Sequence, residues 1–154
     1  MDRQIIDIAI VFFAKYLPHL VFLGILGWFV LNLRRTIFWE LAGAAILSRA
    51  VITETIRLLW HRARPFAELG LQPLVEHSAD ASFPSGHAAF FFALAAVIYA
   101  HDKKMGIAFF LLSAVISASR VMAGIHWPSD VLGGAVIGIG SAFLVKRLLN
   151  RRKV

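Results

Sequence analysis

Long apolar runs recur along this chain, and they restrict what it can fold into more than any other feature does. Tyr16–Leu33 contains no Asp, Glu, Lys or Arg, and about 20 mostly apolar residues are what a helix needs to cross the hydrocarbon core. Thr36–Trp60, Ser85–Ala100, Met105–Val121 and Pro128–Val145 are further spans, the first of them carrying Glu40, Arg49, Glu54 and Arg57. Gln4–Ala14 is apolar but short and holds Asp7. It reads as an interfacial helix, broken near Pro18 because proline cannot donate to the helical ladder. The expected fold is all-α: an integral membrane helical bundle of five transmembrane helices plus an N-terminal interfacial helix, one domain over residues 1–154.

Composition agrees. The chain is 59% hydrophobic, with a mean hydropathy of +0.74, too apolar for an ordinary soluble domain. A net charge of +7 would suit a nucleic-acid binder, but Lys and Arg fall in short clusters between apolar runs. That pattern marks basic membrane loops, so no nucleic-acid partner is expected. The chain has no cysteine, which excludes disulfides and thiolate chemistry. The N-terminus, with Asp7 inside its apolar run and no small-residue cleavage site, does not read as a cleavable signal peptide.

The basic clusters also orient the spans. Arg34 and Arg35, Lys103 and Lys104, and Lys146, Arg147, Arg151, Arg152 and Lys153 follow alternate spans. They therefore share one side, which the positive-inside rule makes cytoplasmic. The loop His61–Pro84 and the turn Gly124–Ser129 then meet at the opposite, extracytoplasmic end.

Three polar clusters lie at that end. In Arg57-Leu-Leu-Trp-His-Arg-Ala-Arg64-Pro65, seven residues bring Arg57 and Arg64 toward one helix face, ~10 Å apart along the axis. Pro65 disfavours the α conformation at Arg64 and should end the helix there; the plainer reading is a snorkelling basic helix end. In Pro84-Ser85-Gly86-His87, Pro84 suits the first position of a helix. The free N–H groups of that first turn make an anion site, to which Ser85 adds a hydroxyl, Gly86 close backbone approach and His87 a titratable proton. In Ser119-Arg120-Val-Met-Ala-Gly-Ile-His126-Trp-Pro-Ser-Asp130, Asp130 falls in the first turn of the last span and can reach back as in a capping box. A carboxylate on one imidazole nitrogen of His126 would leave the other free to attack or to accept a proton.

Three arginines suit the oxygens of a phosphoryl group, whose charge spreads during transfer. No cluster of carboxylates offers itself to a divalent metal, and His87 with His126 lack an evident third ligand. An anion is expected there, with no metal and no cofactor.

These residues resemble the type 2 phosphatidic acid phosphatase family of membrane lipid phosphatases. Its pattern is a basic residue, six others and Arg-Pro; then Pro-Ser-Gly-His; then Ser-Arg, five others, His, three others and Asp. Arg57 to Arg64-Pro65, Pro84 to His87, and Ser119-Arg120 to His126 and Asp130 reproduce every spacing. Arg57 stands where lysine is usual and supplies a forked donor instead. The resemblance implies His126 as nucleophile through a phosphohistidine, Asp130 orienting it, and His87 protonating the leaving group and later activating water. It implies Arg57, Arg64, Arg120, Ser85 and the Gly86 amide as phosphate ligands.

The substrate is expected to be a lipid phosphate or diphosphate among membrane lipids; oligomeric state is not legible. Small size, "FFAKYLP" and the loop "RPF…EHSADASFPSGH" look most like bacterial undecaprenyl-diphosphate phosphatases, enzymes of the plasma membrane with an extracytoplasmic site. Phosphatases of phosphatidylglycerophosphate, phosphatidic acid and lipid A are alternatives, and a small channel or transporter is a remote one. Arg62 and His77 lie just outside the motifs and are candidates for a second phosphate. Arg49 falls mid-span, where an unpaired charge costs ~2.5–3.5 kcal/mol on insertion scales, and Glu54 is placed to pair with it or with Arg57. Trp60 and Trp127 read as interfacial anchors.

Overall fold

The computed structural model describes residues 2–151. The long helices are α1 (Arg3–Leu31), α2 (Arg35–Leu59), α5 (Lys103–Met122) and α6 (Pro128–Arg151), each long and apolar enough to cross a membrane. Between them lie a single short turn of helix, α3 (Pro65–Leu69), and the apolar α4 (Gly86–Tyr99) of 14 residues. No strand occurs among the described residues. That is the expected all-helical bundle, but with four full-length apolar helices and a shorter fifth. α4 is central: nine of its residues are buried, so it needs little contact with lipid and can be short.

A separate N-terminal helix is not present. Residues 3–31 form one helix that passes Pro18 without a break, through a π-helical turn at Phe12–Tyr16. The reason lies in the freed backbone group. Pro18 has no N–H for the carbonyl of Ala14, and a wider turn just before it relieves the ring's crowding. The Ala14 carbonyl accepts instead from Arg120 Nη1, at 3.3 Å. α2 likewise contains a π-helical stretch, Ile46–Thr53, which includes Arg49.

The basic ends gather as expected. Glu40 near the start of α2 accepts from His101 in the α4–α5 turn, and Gly43 of α2 packs on Val145 near the end of α6. Arg34, Arg35, Lys103, Lys104, Lys146 and Arg147 therefore lie toward one end of the bundle; Arg152 and Lys153 are outside the described residues. Large apolar side chains such as Leu20, Leu23, Leu111, Leu132 and Val136 are exposed on the outer faces, as a lipid-facing surface requires.

Two glycines hold the centre together. A Cβ at Gly134 of α6 would lie 2.5 Å from the Ser85 carbonyl oxygen, and one at Gly138 would lie 2.4 Å from that of Ala89. The backbones of α4 and α6 thus touch along a Gly134-Ala-Val-Ile-Gly138 face, the small-xxx-small arrangement that lets membrane helices approach closely. α4 answers with Ala88, Ala89 and Ala93, all fully buried. Gly138→Leu should force these helices apart and destabilise the protein by about 1–3 kcal/mol. A thermal melt in detergent followed by helical circular dichroism reads this directly; an unchanged melt would show that the contact does not matter.

Candidate active site

Close packing of α4 on α6 brings two distant motifs into register. The Ser85 N–H donates to the Asp130 carbonyl oxygen at 2.9 Å, so the start of α4 is hydrogen-bonded to the first turn of α6. Ser85 is the N-cap of α4, its Oγ accepting from the Ala88 N–H. The helix therefore begins at Gly86, two residues later than the expected start at Pro84. The N–H groups of Gly86 and His87 fall in the first turn, where no intrahelical acceptor exists.

His126 sits in the α5–α6 connection and is only 2% exposed. Gly124, at a φ of 76°, turns the chain sharply just after α5 as only glycine does readily. The His61–Pro84 loop clamps onto this turn: Phe66 N–H donates to the Gly124 carbonyl, Leu74 N–H to that of Ala123, and Arg64 Nη1 to that of Ile125 at 2.8 Å.

The imidazole is held between opposite charges. Its Nδ1 lies 3.5 Å from Asp130 Oδ2, just beyond hydrogen-bonding distance, and its Nε2 faces Arg64 Nη1, also at 3.5 Å. Asp130 is fully buried and carries three donors. Its Oδ2 accepts from the Trp127 N–H at 2.8 Å, which is the capping-box bond, and from Ser82 Oγ at 2.5 Å. Its Oδ1 accepts from Arg62 Nη1 at 2.9 Å. Burial pushes the His126 imidazole down to about 4; Asp130 acts against this, and Arg120 and Arg64 act with it. The ring is thus neutral at physiological pH, with a lone pair available.

The arginines are anchored by carbonyls and carboxylates. Arg64, 1% exposed, donates from Nε and Nη2 to Asp80 Oδ1 at 3.0 and 2.7 Å. Burial raises the Asp80 carboxyl, but the hydrogen bonds and charge of Arg64 outweigh it and hold the group below its usual range. Arg57 Nε and Nη2 donate to the Pro84 carbonyl at 3.3 and 3.0 Å, and its Nη1 lies 3.5 Å from Glu54 Oε1. Arg120 is buried, and its Nε has no hydrogen-bond partner among the described residues. A buried donor without a protein acceptor is uncommon and suits a site that takes an anion.

The remaining candidates take different places. The His77 ring lies 6.3 Å from that of His126, edge to face, and burial together with the Arg64 charge lowers its pKa. Arg62 also donates to Ser129 Oγ at 2.6 Å and lies over the Trp127 ring, so its guanidinium supports the Asp130 side. Trp127 itself donates from Nε1 to the Ala63 carbonyl at 3.1 Å. His87 lines a groove on the outer side of the α4 start, with Gly86, Arg49 and His19. Ser82 and Asp80 were not legible as site residues. They lie in a loop with no periodicity, and only the folded loop sets them against Asp130 and Arg64. Among the described residues no three His, Asp or Glu side chains converge as a metal site.

Residues 37–153 match the PAP2 superfamily. The chain belongs to that superfamily. As such it is a multi-pass membrane protein and a phosphoric ester hydrolase. It is 31% identical to the undecaprenyl-diphosphatase BcrC of Bacillus subtilis over 94% of this chain and 76% of that protein. It is 29% identical to the bacitracin transport permease protein BcrC of Bacillus licheniformis, over 94% of this chain and 72% of that one. The solved structure of Aquifex aeolicus LpxE superimposes with a TM-score of 0.78 at 27% identity, covering 95% of this chain and 88% of that one.

The depressed basicity of His126 makes a direct prediction. In protein labelled with 15N-histidine, the His126 ring should titrate with a midpoint of about 4, staying neutral from pH 7 down to pH 5. A midpoint near 6.5, the ordinary value, would mean that the ring is solvated and not held as described.

Proposed function

We propose that this PAP2 phosphatase removes the terminal phosphate of a long-chain prenyl diphosphate such as undecaprenyl diphosphate. The observation that carries the reaction is His126, held neutral and buried between Asp130 on the Nδ1 side and Arg64 on the Nε2 side. The name of the B. subtilis relative supports the substrate.

Nε2 of His126 attacks the terminal phosphorus while the bond to the bridging oxygen breaks, giving phosphohistidine and a prenyl monophosphate. His87 gives its proton to the departing oxygen, and Asp130 stabilises the charge that develops on the imidazole. Arg64 and Arg120, with Arg57, Ser85 and the Gly86 N–H, meet the equatorial oxygens as charge spreads over them. Water, deprotonated by His87, then attacks the phosphohistidine to release inorganic phosphate and restore both histidines. The word permease in the B. licheniformis relative's name raises transport as another activity, but the polar groups of this chain's site converge at one end of the bundle.

Rapid quench with terminally 32P-labelled undecaprenyl diphosphate should trap an acid-labile phosphoenzyme that is absent from His126→Ala. Across undecaprenyl diphosphate, phosphatidylglycerophosphate and phosphatidic acid in one detergent, kcat/KM should be highest for the diphosphate, by about tenfold or more if one extra charge-assisted contact is made. A preference for either glycerolipid would reject the substrate while leaving the phosphatase chemistry intact.

The same reading places the protein in a bacterial plasma membrane, with α4 as the third of five spans and the site on the extracytoplasmic face. A cytoplasm-active reporter fused after Val154 and a periplasm-active one inserted within residues 68–76 should both be active. Inactivity of both would invert the orientation.

A further inference from the structure

Arg49 is not part of the three motifs, yet it lies against the site. A Cβ at Gly86 would come within 2.6 Å of Arg49 Nε, so the guanidinium rests on the first residue of α4, beside His87. It is ten residues before the end of α2 at Leu59, about 15 Å along the axis, well inside a membrane-spanning helix. Its side chain is nonetheless 41% accessible. A charge in a span that faced lipid tails would be expensive; Glu54 takes Arg49 Nη1, and the remaining accessible donors call for a polar occupant beside them. Glu54 pairs with Arg49 and reaches Arg57 as well, which ties Arg49 to an arginine of the phosphate site.

The space Arg49 faces has a definite order. A groove of about 460 Å³ carries His87, Gly86, Arg49 and His19 together with Phe22 and Phe90. Phe22 and Phe90 also wall a second groove of about 380 Å³, lined entirely by apolar residues. The walls α1 and α2 touch low down, where the Phe29 and Phe38 rings are 6.0 Å apart. The first groove thus carries His87 and two basic groups, Arg49 and His19, and leads past Phe22 and Phe90 to the apolar second groove. In a prenyl diphosphate the terminal phosphorus is followed by the bridging oxygen, the inner phosphate and the isoprenoid tail, in that order. A lipid monophosphate has carbon where the inner phosphate would be. Arg62 and His77 do not line this groove, and Arg62 is engaged by Asp130 and Ser129.

We propose that Arg49, assisted by His19, binds the inner phosphate that stays on the lipid, and that this contact makes the enzyme favour diphosphates over lipid monophosphates. The inference rests on the reading of the site as a prenyl-diphosphate phosphatase.

The test holds the tail constant and varies the phosphate: phosphate release by the full chain in micelles from farnesyl diphosphate and from farnesyl monophosphate. Arg49→Gln should lower kcat/KM for the diphosphate by about 10- to 100-fold, the effect of losing one charge-assisted hydrogen bond. The monophosphate should lose less than about threefold, which also reports that the variant is folded. Arg49→Lys should recover part of the diphosphate loss, and His19→Gln should show a smaller loss confined to the diphosphate. Equal losses on both substrates in Arg49→Gln would overturn the inference alone, since Arg49 would then act only through packing on Gly86. A wild-type protein that cleaves the monophosphate and not the diphosphate would overturn the substrate reading and the inference with it.

Discussion

The contact between the backbones of α4 and α6 is the constraint on which the rest depends. Where Gly134 and Gly138 meet Ser85 and Ala89, there is no room for a side chain, and the two helices are fixed in depth as well as in separation. That depth sets the Ser85 N–H on the Asp130 carbonyl. It thereby places the first turn of one helix beside the histidine and aspartate that precede and begin the other. Membrane helices gain little from hydrophobic burial against each other, and close packing is what remains to specify their arrangement.

A second requirement is electrostatic. Arg57, Arg64 and Arg120 repel one another in a poorly solvated site, and each is held by acceptors that fix its direction. Asp80 and the Ile125 carbonyl take Arg64, the Pro84 carbonyl takes Arg57, and the Ala14 carbonyl takes Arg120. Arg64 and Arg57 also face the carboxylates of Asp80 and Glu54, whereas Arg120 keeps its Nε without a partner among the described residues. Donors oriented before the reaction need no reorganisation when charge moves onto the phosphoryl oxygens. Pro18 is one source of this order, because the acceptor for Arg120 is the carbonyl it leaves free.

Asp130 joins the structural and chemical parts. It caps α6, receives Ser82 and Arg62 from the loop, and faces the imidazole. A single carboxylate thus ties the loop to the first turn of α6 and lies against the His126 imidazole. The loop needs the bundle for its place, and the histidine needs the loop for its burial.

Much of this was legible in the chain itself, for local reasons. Apolar runs near the length of a bilayer specify helices wherever they occur, and the order of the motifs places Arg57, Arg64, Ser85, His87, Arg120, His126 and Asp130 at helix ends. Those ends meet because successive spans alternate in direction. The tertiary structure decided what depends on residues far apart. Ser82 and Asp130 are 48 positions apart, and Arg120 and Ala14 are 106 apart; no local pattern announces either bond. The continuity of α1 through Pro18 belongs to the same class, since proline breaks a helix unless a turn and an outside donor absorb the lost bond. So does the position of Arg49, a mid-span charge by sequence that packing sets against Gly86 and the groove. Local composition determines which segments are helices and which groups sit at their ends; packing between helices determines which of those groups touch.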